Sequence, residues 1–377
     1  MNDFSFDLLR RHPDIEAPEL VAVDATDRLL LDEAGDALAA AAPGSVVVVG
    51  DRYGALTLGA VALHGVEGIR VQQDLLTGER ALQENAERAG LTDTYTAVPL
   101  GAEAFTGARL VLLQLPRSLD ELDEVARLIA ASAAPDVVVL AGGRVKHMTH
   151  AMNDVLGRSF GTVEARLARQ KSRVLVATQP RPAEETAQPD WPASEHHADL
   201  DLTLCAHGGV FAGTRIDLGT RLLLDRLDAM LPSAQVAVDL ACGTGAVAAL
   251  LARRRPDLTV IATDDSAAAV ASARATAAAN GLADRVVVRR DDALSSRAAG
   301  SVDLVVLHPP FHAGATVHSG IALKLFADAG RVLRPGGELW TVWNSHLQYR
   351  PALERAVGRT RQVTRTSKFT VTASAAA

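Results

Sequence analysis

Two short stretches of this chain combine residue types that could do chemistry. The first is Asp239-Leu-Ala241-Cys-Gly243-Thr-Gly245, which follows the apolar Val236-Ala-Val and precedes the helix-favouring run 246–252. It reads as strand, tight turn and helix. Glycines at 243 and 245 let backbone approach a ligand where any Cβ would collide. A second predicted strand, Leu258–Thr263, ends at Asp264-Asp265 about twenty residues on, the spacing at which a carboxylate grips ribose hydroxyls. A third begins at Arg285 and ends at Asp291-Asp292. Glycine turn and acids together make a nucleoside cradle.

The second stretch is His308-Pro309-Pro310-Phe311-His312, delivered by a predicted fourth strand over Ser301–Leu307. Open α/β sheets build their sites at the carboxyl ends of strands near the switch point, so this ledge is expected to face the glycine turn. The prolines fix φ and remove amide donors, leaving carbonyls to accept hydrogen bonds, and Phe311 could stack on a planar base. Acceptors beside a stacking ring suit one task, holding an exocyclic amino group in line with a donor. Glycine-flanked Phe211 lies upstream of the turn and is a second aromatic candidate, with packing in a loop as its rival reading. His312 and His346 are weaker substrate-side candidates, because a lone histidine after a strand is more often structural.

The elements that must position these residues occur twice. At a shift of 191 positions, Val46–Val49 overlay Ala237–Leu240, Gly54 overlays Gly245, and Gln73-Asp74 overlay Asp264-Asp265. With a small change of shift, Ala108–Pro116 overlay Val302–Pro310, and further on the segment from His147 overlays the segment from His346. The copies differ where chemistry would occur. Arg52 and Tyr53 stand in place of Gly243 and Thr244, and Gln73 replaces the carboxylate of Asp264. Two large side chains in that turn predict that the first copy holds no cofactor. Between the copies, Thr178–Pro192 carries four prolines, excluding a helix or a central strand. The predicted organisation is a first domain over 1–178, a Pro-rich linker over 179–199 and a second domain over 200–377. A short strand near Leu200–Leu204 and a helix over Thr220–Leu231 lead into the second glycine turn.

The 377 residues are comfortable for two domains, and with 48% hydrophobic and 22% charged residues the composition is ordinary globular material. No apolar run approaches the roughly 20 residues of a membrane helix, the start lacks a signal-peptide pattern, and two cysteines cannot build a disulfide framework. A cytoplasmic protein without membrane or metal partners is expected. Net charge of −7 gives no global nucleic-acid signal. Locally, residues 142–182 carry eight Arg/Lys, Arg144 and Lys146 among them, against two acids, and residues 350–377 carry six against one. Basic runs in corresponding places of two domains fit a phosphate-binding footprint.

Nicotinamide and flavin sites want G-x-G-x-x-G, and here the third glycine is missing. D-L-A-C-G-T-G instead resembles motif I of class I S-adenosylmethionine-dependent methyltransferases. His308-Pro-Pro-Phe311 resembles the Asn/Asp-Pro-Pro-Phe/Tyr motif of methyltransferases acting on planar amino groups. With the Phe-His continuation, the Gly209-Val-Phe-Ala lead, the duplication and the closing Asn344-Ser-His-Leu-Gln-Tyr-Arg-Pro351, the chain is similar over most of its length to the RsmC/RlmG family of ribosomal RNA guanine-N2 methyltransferases. Gln114-Leu-Pro-Arg-Ser118 and Ala141–His147 look closer to the large-subunit type.

The resemblance implies an α/β fold of two tandem Rossmann-like class I methyltransferase domains, the first degenerate and helping to hold RNA. It implies S-adenosyl-L-methionine held by Asp239 near the methionine amine, by backbone at Ala241, Gly243 and Gly245, by Asp264 or Asp265 on ribose and by Asp292 on adenine. His308, Pro309, Pro310 and Phe311 become the catalytic ledge, and Phe211, His312, His346, Lys146 and Arg144 substrate-side residues. The partner implied is ribosomal RNA or a ribosomal subunit, met by a monomer. One departure is His308, where the family has asparagine. A neutral imidazole offers one nitrogen acceptor and an imidazolium none. Tolerance, a drifted substrate and impaired catalysis are all open, with catalysis favoured because the Pro309 carbonyl and Phe311 remain. Methylation of a protein amide or small molecule, or non-catalytic RNA binding, are the alternatives.

Overall fold

Strands buried on both faces need near-continuous apolar sequence, and the chain supplies it repeatedly as Val46–Val49, Leu110–Gln114, Val236–Leu240 and Val302–Leu307. The computed structural model describes residues 4–182, 191–310 and 315–377. The chain divides into two units, Met1–Asp190 and Trp191–Ala377.

The first unit contains strands β1 (Val46–Val49), β2 (Ile69–Gln72), β3 (Tyr95–Val98), β4 (Leu110–Gln114), β5 (Val138–Arg144), β6 (Phe160–Ala165) and β7 (Ser172–Pro180). Helices α1 (Ala25–Ala39), α2 (Ala55–His64), α3 (Leu76–Ala89), α4 (Ala102–Phe105), α5 (Leu119–Ser132) and α6 (His150–Ser159) connect them. The sheet order is β3-β2-β1-β4-β5-β7-β6, with β7 antiparallel to both neighbours.

The second unit opens with a hairpin of β8 (Ala193–His197) and β9 (Leu202–Ala206), then α7 (Leu218–Leu224). Its sheet strands are β10 (Val236–Leu240), β11 (Thr259–Asp264), β12 (Val286–Arg290), β13 (Val302–Leu307), β14 (Leu333–Asn344), β15 (Thr360–Arg365) and β16 (Phe369–Ala375). Helices α8 (Ala246–Arg254), α9 (Ala267–Ala279), α10 (Ala315–Val332) and α11 (Arg350–Ala356) complete it. The order β12-β11-β10-β13-β14-β16-β15 reproduces that of the first unit strand for strand. The internal repeat is therefore a repeat of a whole Rossmann-like sheet. Each sheet carries an apolar cluster on either face, Val238, Val305 and Leu307 turning one way and Ala237, Leu304 and Val306 the other.

Two boundaries differ from the sequence reading. Strand β7 reaches Pro180 and β8 begins at Ala193, so both ends of the expected 179–199 linker are strand. Pro180 is tolerated because it terminates its strand, where the missing N–H interrupts no ladder. Helix α7 begins two residues before the expected Thr220, because Asp217 accepts hydrogen bonds from the Gly219 and Thr220 amides at 2.7 and 3.2 Å. It gives way to a 3₁₀ turn over Leu227–Ala229, and ahead of Pro232, which disfavours helical geometry in the residue before it, Leu231 takes φ of +31°.

Candidate cofactor and substrate site

Strand β10 ends in a turn whose backbone is left-handed at Ala241 (φ +54°), Gly243 (+53°) and Gly245 (+75°). Ala241 in that region costs about 1 kcal/mol, the kind of local strain that collects at functional sites. The two glycines do different work. A Cβ on Gly245 would lie 2.9 Å from Ala273 Cβ and 3.1 Å from its Cα, so this glycine lets α8 pack on α9. A Cβ on Gly243 would meet nothing nearer than Val210 Cγ1 at 3.9 Å. Its α-carbon faces open space, as a surface meant for a ligand should. Val210 belongs to the Gly208–Phe211 loop, which puts that loop beside the turn, and Phe211 is half exposed.

The turn is stapled to β11. The Cys242 amide donates to the Thr263 carbonyl at 3.0 Å, and the Gly243 amide donates to Asp264 Oδ2 at 3.0 Å. Asp264 Oδ1 accepts from the Ser266 amide at 3.0 Å. Asp264 thus holds the glycine turn and the start of α9 together. Asp265 follows it at the strand end, half-buried. Asp239 is buried behind the turn, its Oδ2 accepting from the Ala248 amide at 2.9 Å. Burial raises its pKa well above the usual carboxylate value, with the Asp264 charge adding to the rise against the Ala248 hydrogen bond. Burial likewise raises the Cys242 thiol, helped by Asp264 and Asp239, which keeps it protonated.

At the end of β12 the two acids separate in role. Asp291 accepts from the Ser295 and Ser296 hydroxyls at 2.9 and 2.7 Å and locks its own turn. Asp292 is largely buried and pairs with Lys324 Nζ of α10 at 2.5 Å. No local pattern singled out Lys324, because the pair spans distant segments.

Past β13, His308 turns toward the helix that precedes the sheet. Its Nδ1 lies 2.9 Å from Thr220 Oγ1 and 3.4 Å from Asp217 Oδ2. The Thr220 hydroxyl donates to Asp217 Oδ2 at 2.6 Å. Burial works to raise the Asp217 pKa, but the hydrogen bond and charge of His308, with Thr220 and the Gly219 amide, outweigh it and hold the carboxyl far below its ordinary value. A Cβ on Gly219 would lie 2.9 Å from His308 Cε1 and 3.1 Å from Nε2, so only glycine there admits the imidazole. Asp217, Gly219 and Thr220 were missed by motif reading. The available signal was the D-x-x-T pattern of a helix start.

Pro309 is buried and Pro310 exposed, while Phe311 and His312 lie outside the described residues. His346 is exposed on the 3₁₀ turn after β14. In the first unit, Lys146 is exposed on the equivalent turn, whereas Arg144 pairs with Asp24 at 3.6 Å. The basic run there is partly neutralised, since Arg158 pairs with Asp123 and Arg169 with Glu33. Among the described residues no cluster of His, Cys, Asp or Glu could hold a metal ion, and no helix is long and apolar enough to cross a membrane.

The glycine turn of the first unit is filled from within. Tyr53, at the position of Thr244, is buried, its hydroxyl donating to Asp14 Oδ2 at 2.6 Å while the Arg11 guanidinium lies 4.7 Å from its ring centre. Gln73 donates to the Asp51 carbonyl oxygen at 2.6 Å, where Asp264 in the second unit instead accepts from the Gly243 amide.

With this geometry in hand, residues 2–181 match the RLMG N-terminal domain model and residues 201–373 the methyltransferase small domain model. The chain is 35% identical over 376 residues to the ribosomal RNA large subunit methyltransferase G of Streptomyces coelicolor, covering 97% of this chain and 96% of that one. It is 35% identical over 367 residues to the protein of the same name from Pseudomonas aeruginosa, covering 96% of each. Among solved structures it is similar to the T. thermophilus 16S rRNA N2 G1207 methyltransferase (RsmC) in complex with AdoMet and guanosine, at 22% identity and a TM-score of 0.72, over 94% of this chain and 92% of that one. That last likeness is one of fold.

Proposed function

Because the chain belongs to the ribosomal RNA large subunit methyltransferase G family, we propose that it transfers a methyl group from S-adenosyl-L-methionine to the exocyclic N2 amine of a guanine in ribosomal RNA. The observation that carries this reading is the left-handed Gly243 facing open space beside Asp264 and the Val210–Phe211 loop. The cradle accepts a nucleoside and offers no third glycine for a pyrophosphate. The ribosomal RNA methyltransferases to which the chain is similar support an RNA substrate, and the guanosine in the RsmC complex supports the base.

When bound, S-adenosyl-L-methionine supplies an electrophilic methyl on a sulfonium, so no protein nucleophile is required. Asp264, with Asp265 beside it, would hold the ribose hydroxyls from the end of β11, next to the Gly243 turn it fixes. Asp292, paired with Lys324, would hold the adenine amine, and Asp239 backs the turn on the methionine side. The ledge from His308 to Phe311 receives the guanine, the Pro309 carbonyl accepting from its amine and Phe311 stacking on its face. Stacking at ~1–3 kcal/mol per base offsets much of the few kcal/mol that extrusion from a duplex costs. Phe211, His312 and His346 are assigned to the substrate side, and Lys146 and Arg144 to the RNA backbone. The protein works as a monomer in the cytoplasm.

The test is purified protein with methyl-labelled S-adenosyl-L-methionine and ribosomal RNA or subunits from cells lacking it. Nuclease digestion and mass spectrometry should find N2-methylguanosine. Label in protein or small-molecule fractions, or none in RNA and both subunits, overturns the reading.

A further inference from the structure

In both units the residue at the carboxyl end of the fourth strand of the repeat, one past the last position paired with the first strand, is tied to the first turn of the helix preceding the sheet. In the second unit the tie runs from His308 Nδ1 to Thr220 and Asp217. In the first, the Gln114 side-chain amide donates to Oδ1 of the Asp27 carboxyl group. The positions correspond by register, since Leu113 pairs with Val49 and Leu307 with Leu240. Asp24 and Asp217 are the caps of α1 and α7, and Asp27 and Thr220 are the third residues inside those helices. Different side chains make the same connection.

Proton bookkeeping fixes the form of the tie in the second unit. The one hydroxyl proton of Thr220 goes to Asp217 Oδ2 at 2.6 Å, so at 2.9 Å from Thr220 Oγ1 the His308 Nδ1 must bring its own hydrogen. The cap residue, the hydroxyl and the imidazole form one directed chain. Gly219 admits the ring edge that any Cβ would exclude. Pro309 follows at once, and its fixed φ passes the orientation of His308 on to the carbonyl of the ledge.

We propose that Thr220 and Asp217 are positioning residues for methyl transfer, orienting the ledge through the Nδ1–H of His308, and that His308 serves alignment: as the N2–methyl bond forms the sulfur–methyl bond breaks, S-adenosylhomocysteine leaves, and the amine proton passes to water and not to His308. This rests on the function proposed above. The first unit supports it independently: there Gln114, an amide with no capacity as a general base, makes the corresponding tie beside a cofactor turn that Tyr53 fills.

The experiment compares Thr220→Val with Thr220→Ser, and His308→Leu with His308→Gln, the last borrowing the first unit's solution. Steady-state methylation of ribosomal RNA gives kcat and KM, and calorimetry gives S-adenosyl-L-methionine affinity. Nitrogen NMR on histidine-labelled protein reports whether His308 Nδ1 carries a proton. The expected result is a protonated Nδ1 in the wild type. Thr220→Val should lower kcat about tenfold or more, the order that misalignment costs, with cofactor affinity within about twofold. Thr220→Ser should recover most of that loss, and His308→Gln should keep several-fold more kcat than His308→Leu. A bare Nδ1, a Thr220→Val enzyme with wild-type kcat, or His308→Gln as inactive as His308→Leu overturns the proposal. A wild type that binds cofactor but leaves RNA unmethylated refutes the function instead, and the tie is then judged on the nitrogen signal alone.

Discussion

Replacing Gly243 and Gly245 by alanine, one at a time, separates a glycine kept for a ligand from one kept for packing. Both sit at positive φ, so each alanine costs about 1 kcal/mol of backbone strain. At 243 nothing is added to that, since the new methyl's nearest neighbour is Val210 Cγ1 at 3.9 Å. At 245 the methyl would sit 2.9 Å from Ala273 Cβ and 3.1 Å from its Cα, atoms that move only with helix α9. Overpacking of that kind adds about 1–3 kcal/mol, for a total of about 2–4 kcal/mol. A unit of this size loses about 2–4 °C of melting temperature per kcal/mol. Gly243→Ala should therefore melt within about 4 °C of the wild type, and Gly245→Ala roughly 4–16 °C below it. Affinity should be ordered differently. The Gly243→Ala methyl occupies the space assigned to S-adenosyl-L-methionine and should weaken its binding at least tenfold, about 1.4 kcal/mol, by calorimetry. Wild-type affinity in Gly243→Ala would refute the cradle, and equal melting losses in the two variants would refute the division of labour.

Asp264→Asn presents one acceptor where two backbone amides, of Gly243 and Ser266, now find carboxylate oxygens. Stranding one of them costs about 1–3 kcal/mol and should weaken cofactor binding by at least tenfold, measured by calorimetry. Asp27 is held protonated, its pKa raised to about 8 by burial and by the charges of Asp51 and Asp24, against hydrogen bonds from the Asp24 and Gln114 amides. Its folded value exceeds its unfolded value, so its contribution is complete below about pH 4 and is lost as pH rises toward 8. At about 1.4 kcal/mol per unit the ceiling is ~6 kcal/mol, and Asp27→Asn should flatten that slope in denaturant titrations at pH 5 and pH 8. Phe211→Ala should raise KM for ribosomal RNA several-fold with the melting temperature unchanged, because the side chain is half exposed. An unaltered KM would return Phe211 to ordinary loop packing.

Much of this protein could be read before folding it. Continuous apolar runs, punctuated by glycine turns and strand-end acids, are local signals, and they located β10 to β13 to within two residues and exposed the duplication. The family resemblance rested on Asp239–Gly245 and His308–Phe311, both contiguous. What the sequence could not apportion was the work of side chains that share a motif. Gly243 and Gly245 look alike until α9 is placed behind one of them. Asp291 and Asp292 are adjacent, yet one closes its own turn and the other meets Lys324. His308 is a lone substitution on paper, and only the fold brings it, across 88 residues, to Thr220 and Asp217. Propensity and periodicity act along the chain, whereas burial, hydrogen-bond sharing and proton placement depend on distances that exist only once the sheet has closed.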